Sequence, residues 1–459
     1  MMIFNKLKTS ISPNHSRAAS SFLGYGGASQ SAFSPTSRHG QASKLNQATS
    51  EAIHNRRTSD VYNHSNRNRS PFHITSSSYG LFGNIGKCYM STSASTDNND
   101  DEEDDGMEDE YGEMDSSGET YIQSEFKLES GITLKNAQVR YNVFGELNAA
   151  KDNVIVVCHA LTGNSSLDEW WAPLLGPDLP FDTSKYAVVC ANVLGSCYGS
   201  SGPQSINPDT GKAYGNDFPD VTIRDTVALH MQMVKNQLGA KKITAVIGGS
   251  MGGMQALEWA IQGEDFINGA MVIGCGPEHT AWQLAISEVQ RQAIYADPNW
   301  NNGNLDPKNP PEAGLAVARQ MAMISYRTNS AYDRKFGRDV DDKSGKFQVR
   351  RYLEYQGIKF LSRFDAVTYV KLTEQMDSHD VTRGRGELKD VLSAIHAKCA
   401  LMAMDSDILY PASTTEEMSK MIPNSTYDTI NTQEGHDGFL LEYDQVGNAV
   451  KSFLEKLEK

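Results

Sequence analysis

A serine enclosed by four glycines constrains this chain more than any other feature of its sequence. Residues 248–253 read Gly-Gly-Ser-Met-Gly-Gly, directly after the apolar run 243–247 and before a helical pattern over 254–262. Glycines permit a turn so tight that the Cβ of another residue would clash. The pattern therefore predicts that Ser250 lies on a strand-turn-helix elbow. The helix N-terminus behind such a serine offers free N–H groups to a developing oxyanion. We therefore interpret Ser250 as a nucleophile, the alternative being an ordinary turn of small residues.

Short apolar runs recur along the chain in a pattern typical of an α/β fold. Continuous apolar strands suit the centre of a parallel sheet, where both faces are buried. Helical patterns lie between several runs, so the predicted class is α/β with a mostly parallel sheet. An antiparallel strand pair joined through Ser130-Gly131 is predicted at residues 121–128 and 134–144. The apolar runs cover 154–158, 187–193, 243–247, 270–273 and 399–404, and the helical patterns include 222–238 and 254–262.

One long segment, residues 278–395, interrupts this alternation with helical patterns and without a convincing central strand. We predict a helical insertion that lies over the C-terminal edge of the sheet as a lid, where it would exclude water and shape a pocket. The alternative is a second helical domain with no role at the site. The insertion would divide the core into residues 116–277 and 396–459. Its helical patterns cover 282–296, 313–327, 346–361 and 363–376.

The first 115 residues differ in composition from the rest of the chain. Residues 1–96 hold ten Lys or Arg and only two acids, which fits a transit peptide followed by a disordered stretch. A mitochondrial location is expected, with a plastid location, or a disordered tail on a cytoplasmic protein, as alternatives. Residues 97–115 hold twelve acidic residues and no basic one, which predicts a disordered, solvated linker.

Charge and cysteine content exclude several classes of function. The residues after 115 carry 32 basic and 43 acidic groups, so they lack the basic footprint of a nucleic-acid-binding protein. No apolar run approaches the length of a membrane span. The six cysteines form no Cys-x-x-Cys pair and no Cys/His ligand spacing, so we predict buried free thiols and no metal site.

A nucleophilic serine needs a histidine base and a carboxylate that orients the base. On a strand-turn-helix elbow of this kind the acid and then the histidine follow the serine along the chain. Asp407 comes just after the apolar run 399–404, and it is preferred over its neighbour Asp405 because it lies further beyond the strand. His436 lies in a loop bracketed by glycines near the C-terminus. We predict the triad Ser250, Asp407 and His436.

An oxyanion hole requires two N–H donors. The first is predicted to be the backbone N–H of Met251, the residue after the nucleophile. The second is expected from the loop after an earlier strand, and the sequence His-Ala-Leu-Thr-Gly at 159–163 has that place. The N–H of Leu161 is the candidate, which leaves His159 as a packing residue.

With these residues assigned, the chain closely resembles the homoserine O-acetyltransferase family of the α/β-hydrolase superfamily. The resemblance covers residues 120–459 and leaves the first 115 or so unmatched. Several long motifs in the same order make it far more specific than a lone Gly-x-Ser-x-Gly. They are residues 159–163, 192–203, 205–208, 248–259, Ala318-Arg319, Tyr326-Arg327 and 435–442.

The resemblance implies an α/β-hydrolase fold and a ping-pong acetyl transfer from acetyl-CoA to L-homoserine in methionine biosynthesis. No cofactor would be bound, since acetyl-CoA is a substrate, and a homodimer with lid helices at the interface is expected. The family's motif places Arg319 on the substrate carboxylate, with Arg327 as a second possibility two helical turns away, and Asp437 on the amino group. The alternative is that both arginines lie on a solvent-exposed helix face and bind no substrate.

Other activities remain open on the same scaffold. Serine O-acetyltransferases and succinyl-transferring relatives share the fold and the triad, and the elbow with residues 257–259 resembles the homoserine type. An esterase or deacetylase would use water as the acceptor. The complete set of serine, acid and histidine argues against a protein that has this fold but no catalytic activity.

Overall fold

In the computed structural model, which describes residues 117–458, eight strands form one sheet in the order β1-β2-β4-β3-β5-β6-β7-β8. The pairs β1–β2 and β2–β4 are antiparallel, and every other pair is parallel. The strands are β1 (Glu119–Lys127), β2 (Thr133–Phe144), β3 (Val154–Cys158), β4 (Ala187–Ala191), β5 (Ile243–Gly249), β6 (Gly269–Ile273), β7 (Lys398–Met404) and β8 (Ser425–Ile430). The predicted antiparallel pair and mostly parallel sheet are confirmed.

Helices connect the strands and fill both sides of the sheet. Within the described residues they are α1 (Leu167–Trp170), α2 (Ile223–Asn236), α3 (Met251–Gln262), α4 (Ala281–Tyr295), α5 (Glu312–Tyr326), α6 (Asn329–Phe336), α7 (Gln348–Leu361), α8 (Ala366–Asp377), α9 (Leu388–Ser393), α10 (Ala412–Ser419), α11 (Gly438–Leu441) and α12 (Tyr443–Leu457). Six of them, α4 to α9, lie in the predicted insertion between β6 and β7.

The central strands are apolar throughout because each of their faces meets a hydrophobic layer. Along β3, Val154, Val156 and Cys158 pack into one cluster with α2 and α3, whereas Ile155 and Val157 pack into a second cluster with α12. This alternation follows from the two-residue period of a strand. All residues of β3, β4, β5 and β6 are buried.

The two ends of the helical insertion are tied together at one point of the core. The N–H of His279 donates to the carbonyl of His379 (2.9 Å), and the N–H of Val381 donates to the carbonyl of Pro277 (3.0 Å). Beside this junction the buried carboxylate of Glu258 on α3 accepts two hydrogen bonds from Arg385, each 2.8 Å long. The insertion is therefore anchored to the helix that follows Ser250.

Some sequence predictions concern other parts of the chain. Cys158, Cys190, Cys275 and Cys399 are buried free thiols, and burial raises the pKa of each. The predicted leader at 1–96, with Cys88, and the predicted acidic linker at 97–115 lie outside the described residues. No helix of the described part is long and apolar enough to cross a membrane.

Candidate active site

The elbow that carries Ser250 is a strained turn between β5 and α3. Ser250 has φ 59° and ψ −125°, a left-handed conformation that costs a non-glycine residue about 1–3 kcal/mol. Two backbone hydrogen bonds hold it, from the Ser250 N–H to the carbonyl of Ile273 (2.9 Å) and from the Met254 N–H to the carbonyl of Ser250 (3.1 Å). The strain is thus balanced by the sheet and the helix on either side.

The glycines around Ser250 are required by close contacts. A Cβ on Gly252 would lie 2.1 Å from the carbonyl oxygen of Cys158, and one on Gly249 would lie 2.5 Å from the ring of Phe439. The first contact is with backbone and cannot be relieved by rotating a side chain. The predicted reason for the glycines, a turn too tight for side chains, agrees with this packing.

Asp407 and His436 meet in a direct hydrogen bond. Nδ1 of His436 lies 2.7 Å from Oδ2 of Asp407, and both side chains are buried. The other oxygen of Asp407 accepts from the N–H groups of Leu409 (2.7 Å) and Tyr410 (2.9 Å). The carboxylate is therefore fixed on one side by backbone donors and presents its other oxygen to the imidazole.

Asp405, the rival acid, has a different partner. Its Oδ1 accepts from the N–H of Thr432 at 2.9 Å, which links the end of β7 to the loop after β8. The structure thus brings Asp407 rather than Asp405 to His436. Asp405 directly follows β7, and its N–H still pairs with the carbonyl of Ile430 at the end of β8 (3.0 Å), whereas Asp407 lies two residues further on, where the chain turns toward α10.

The turn after β3 lies beside Ser250. Leu161 and Ser250 line the same cavity, and Met251 is the first residue of α3. His159 accepts from the N–H of Val193 through Nε2 (3.2 Å), while its Nδ1 lies 2.8 Å from the carbonyl of Ala160. Burial, partly offset by that carbonyl, lowers the pKa of His159 to about 4, so its ring is neutral and structural.

One cavity unites these groups. Ser250 and His436 line it together, and Nε2 of His436 has no hydrogen-bond partner among the described residues. The imidazole is enclosed by three rings, those of Tyr410 (centroids 5.0 Å apart), Phe439 (5.7 Å) and Tyr326 (6.1 Å). A serine, an unengaged imidazole nitrogen and a buried carboxylate form the arrangement of a serine nucleophile with its base.

Known proteins resemble this chain over most of its described residues. A family model described as the alpha/beta hydrolase fold matches residues 153–443. A homoserine O-acetyltransferase of Chloroherpeton thalassium is 48% identical over 330 residues, which are 72% of this chain and 87% of the relative. One from Chlorobium chlorochromatii is 47% identical over 72% of this chain and 94% of the relative. The chain belongs to the homoserine O-acetyltransferase family.

Solved structures place this family member among both transferases and esterases. The homoserine O-acetyltransferase from Bacillus anthracis is 25% identical with a TM-score of 0.68, covering 73% of this chain and 96% of that one. Esterase E22 is 28% identical with the same TM-score of 0.68, covering 73% of this chain and 99% of that one. The α/β-hydrolase fold predicted from the sequence is confirmed.

Residues from the helical insertion complete the cavity of this acetyltransferase family member. Arg319 on α5 is buried and lines the cavity, with its guanidinium carbon 5.1 Å from the centre of the Phe360 ring. Asp437, next to His436, also lines the cavity and is buried. A cation and an anion therefore face the space beside Ser250.

The structure does not bring Arg327 into this cavity. Arg327 follows the last residue of α5 in an extended conformation (φ −109°, ψ 160°), so the assumed two-turn helical spacing from Arg319 does not apply. Its Nε donates to Oδ2 of Asp437 at 2.8 Å, and its Nη1 bonds Glu434 at 2.5 Å. Arg327 therefore supports Asp437 instead of reaching a ligand, which corrects the sequence prediction.

Several cavity residues were missed by the sequence prediction. Arg363, Tyr326 and Thr162 line the cavity, and so does Trp170, whereas its neighbour Trp171 donates to the carbonyl of Phe439 (3.2 Å). Burial raises the pKa of Tyr326 to about 12, against the opposing charge of Arg319, so its phenol is neutral. Tyr326 precedes Arg327 in one of the motifs that carry the family resemblance, but the sequence prediction assigns a role only to the arginine.

The environment of His436 predicts the pH dependence of catalysis. Burial disfavours its charged form, but the charge and hydrogen bond of Asp407 and the charge of Asp437 outweigh burial and raise the pKa of the imidazole. A general base must be neutral, so the acidic limb of kcat/KM for the acyl donor is expected at an apparent pKa above about 6.5. Activity is then lost as the pH falls through that value.

Asp437→Asn is expected to move this limb to lower pH, because one of the charges that raise the pKa is removed. The profile is measured as kcat/KM for acetyl-CoA between pH 5 and 9 (roughly the range around the ordinary histidine pKa), in wild type and variant. A limb that stays in place, or moves to higher pH, would contradict the assigned electrostatics.

Proposed function

We propose that this member of the homoserine O-acetyltransferase family transfers an acetyl group from acetyl-CoA to L-homoserine through an acetyl-Ser250 intermediate. One observation carries the proposal: the cavity that holds Ser250 and His436 also holds a buried cation, Arg319, and a buried anion, Asp437. An amino acid is a zwitterion, and the guanidinium of an arginine can donate two parallel hydrogen bonds to its carboxylate. Asp437 would accept from the ammonium group.

In the first half-reaction Ser250 would attack the thioester of acetyl-CoA. Nε2 of His436 takes the proton from the serine hydroxyl and returns it to the departing CoA sulfur. Asp407 holds Nδ1 of the imidazole as the donor of their hydrogen bond, so that Nε2 is free to accept. The N–H groups of Met251 and Leu161 would stabilise the tetrahedral oxyanion.

In the second half-reaction the hydroxyl of homoserine would replace CoA. His436 takes its proton, the alkoxide oxygen attacks the acetyl carbon, and the ester bond to Ser250 breaks with return of the proton to the serine. The products are O-acetyl-L-homoserine, for methionine biosynthesis, and the free enzyme. Ser250 and His436 are only 7% and 2% exposed, which favours a bound hydroxyl over bulk water.

We also propose that two copies associate through the insertion. Five apolar side chains of α4 and α5 are exposed in the single chain: Trp282, Leu284, Val289, Val317 and Ile324. Exposed apolar side chains on neighbouring elements are typical of an interaction surface. A homodimer would cover them and leave the cavity within each subunit.

The experiment that tests the function measures release of free CoA with each donor and acceptor. Acetyl-CoA and succinyl-CoA are each combined with L-homoserine, L-serine or no amino acid. We expect the acetyl-CoA and homoserine pair to give the highest kcat/KM, because relatives that are 48% and 47% identical to this chain are named homoserine O-acetyltransferase. Faster turnover with serine or succinyl-CoA would overturn the substrate assignment.

The same experiment tests a second candidate function, hydrolysis of an acyl ester or thioester by water. Esterase E22 shares the fold at 28% identity, so hydrolysis is a real alternative for this cavity. An esterase would release CoA, or hydrolyse an acetyl ester, equally well with and without an amino acid. Release that depends on the amino acid, with O-acetyl-amino acid identified by mass spectrometry, excludes it.

A further inference from the structure

Arg363 connects the helical insertion to the turn beside the nucleophile. It lies between α7 and α8 and lines the cavity with Ser250. Its Nη1 donates to the backbone carbonyl of Thr162 (2.9 Å) and to the hydroxyl of Tyr198 (2.7 Å). A residue of the insertion thus holds a backbone group of the turn 159–163, to which Leu161 belongs.

The two ends of that turn are held by different parts of the molecule. At its start, Nε2 of Gln255 on α3 donates to the carbonyl of His159 (3.2 Å), and the His159 ring bonds Val193 after β4. These contacts come from the core. The carbonyl of Thr162, on the far side of Leu161, is bonded by Arg363 from the insertion.

The guanidinium of Arg363 is itself held in position. Its central carbon lies 4.9 Å from the centre of the Phe360 ring, and Phe360 stacks on Phe364 with centroids 4.8 Å apart. The ring of Tyr198 meets Phe364 edge-on at 6.0 Å, so the acceptor hydroxyl belongs to the same aromatic cluster. A planar cation on an aromatic face loses little further freedom when it forms hydrogen bonds.

We propose that Arg363 is a positioning residue that completes the oxyanion hole only when the insertion is seated on the core. With the Thr162 carbonyl held, the Leu161 N–H would be directed at the acyl oxygen. Without Arg363 that carbonyl loses its hydrogen bond from the insertion, while the core still holds the flanks of the turn, at His159 and at Ser165, whose N–H donates to Asn192 (2.6 Å). The inference rests on the proposed acyl-transfer function, and it couples acylation of Ser250 to lid position.

The test compares Arg363→Met and Arg363→Lys with wild type and with a control, Arg350→Met. Arg350 is an exposed residue of α7, paired with Glu354, outside the cavity. The burst of p-nitrophenol from p-nitrophenyl acetate reports acylation of Ser250 without CoA or amino acid. Amide hydrogen exchange of the peptide covering 159–163 reports the order of the turn.

We expect the burst rate of Arg363→Met to fall by about 10- to 100-fold, because misplacement of one oxyanion donor costs up to about that factor. Amide hydrogen exchange in the turn should become faster. KM for homoserine should stay within about threefold of wild type, because a misplaced oxyanion donor weakens binding of the transition state and not of homoserine. The burst rate of Arg363→Lys should lie between those of wild type and Arg363→Met. Lysine keeps the positive charge but lacks the planar guanidinium with its several donors. The control should match wild type in every measurement.

Two results would overturn the proposal. An unchanged burst rate with a raised KM for homoserine would make Arg363 a ligand of the acceptor. A slower burst without faster exchange in the turn would mean that Arg363 acts elsewhere. Should Arg363→Met fail to fold, Arg363→Lys and Tyr198→Phe carry the test. A wild type that is acylated but does not acetylate homoserine would refute the proposed function and leave this test valid.

Discussion

Ser250→Ala is expected to abolish acetyl transfer, with kcat reduced by about 10⁴-fold or more, because no covalent acyl intermediate can form. The fold should persist. Alanine keeps the Cβ and the strained φ of 59°, and the backbone hydrogen bonds to Ile273 and Met254 do not involve the hydroxyl. CoA release, the melting temperature and the mass of the protein after incubation with acetyl-CoA are measured together.

A matched control is Ser287→Ala, a buried serine on α4 that does not line the cavity. It should keep wild-type turnover within about threefold, as expected for a substitution away from the site. An acetylated Ser250→Ala protein, or one that retains more than about a tenth of wild-type kcat, would show that Ser250 is not the nucleophile.

Asp407→Asn is expected to lower kcat by about 10⁴-fold with little change in stability or in KM. The carboxylate accepts from Nδ1 of His436 at 2.7 Å, while its other oxygen is held by the N–H groups of Leu409 and Tyr410. With that oxygen fixed, an asparagine turns its NH₂ toward Nδ1. The imidazole then carries its proton on Nε2 and cannot act as a base.

The variant Asp405→Asn is the control, because it makes the same change in charge and side-chain volume at a neighbouring aspartate. Its carboxylate bonds the Thr432 N–H at 2.9 Å, and an amide oxygen can accept the same hydrogen bond. We expect kcat within about fivefold of wild type, since no catalytic atom is touched. A larger loss in Asp405→Asn than in Asp407→Asn would reverse the assignment of the acid.

The core of the fold and of the site could be predicted because both depend on local patterns. Buried parallel strands are continuous apolar runs, so β3 was located to the residue, 154–158. The elbow is marked in the sequence by glycines, at which a Cβ atom would lie too close to neighbouring atoms. Chain order then placed Asp407 and His436, which the structure joins in one hydrogen bond.

Elements without such patterns could not be predicted. The edge strand β8 reads Ser-Thr-Tyr-Asp-Thr-Ile, and its side chains are exposed or partly buried except that of Ile430, so no apolar run marks it. The helical pattern over 313–327 places Arg327 inside the helix, but α5 ends at Tyr326 and Arg327 is extended, because a sequence pattern does not specify the last residue of a helix. Arg363 has no local signal, since its partners Thr162 and Tyr198 lie 201 and 165 residues away.

The junction at which the helical insertion leaves and rejoins the core has an evolutionary consequence. Since His279 and Val381 close the segment with backbone hydrogen bonds, its interior can lengthen or be rebuilt at low entropic cost, about 0.6 kcal/mol for each doubling of loop length. Arg319 lies within the segment that these hydrogen bonds close, whereas Ser250 and His436 lie outside it. Changes inside the segment can therefore alter the acceptor side of the cavity without moving Ser250 or His436, and both a transferase and an esterase are found on this architecture.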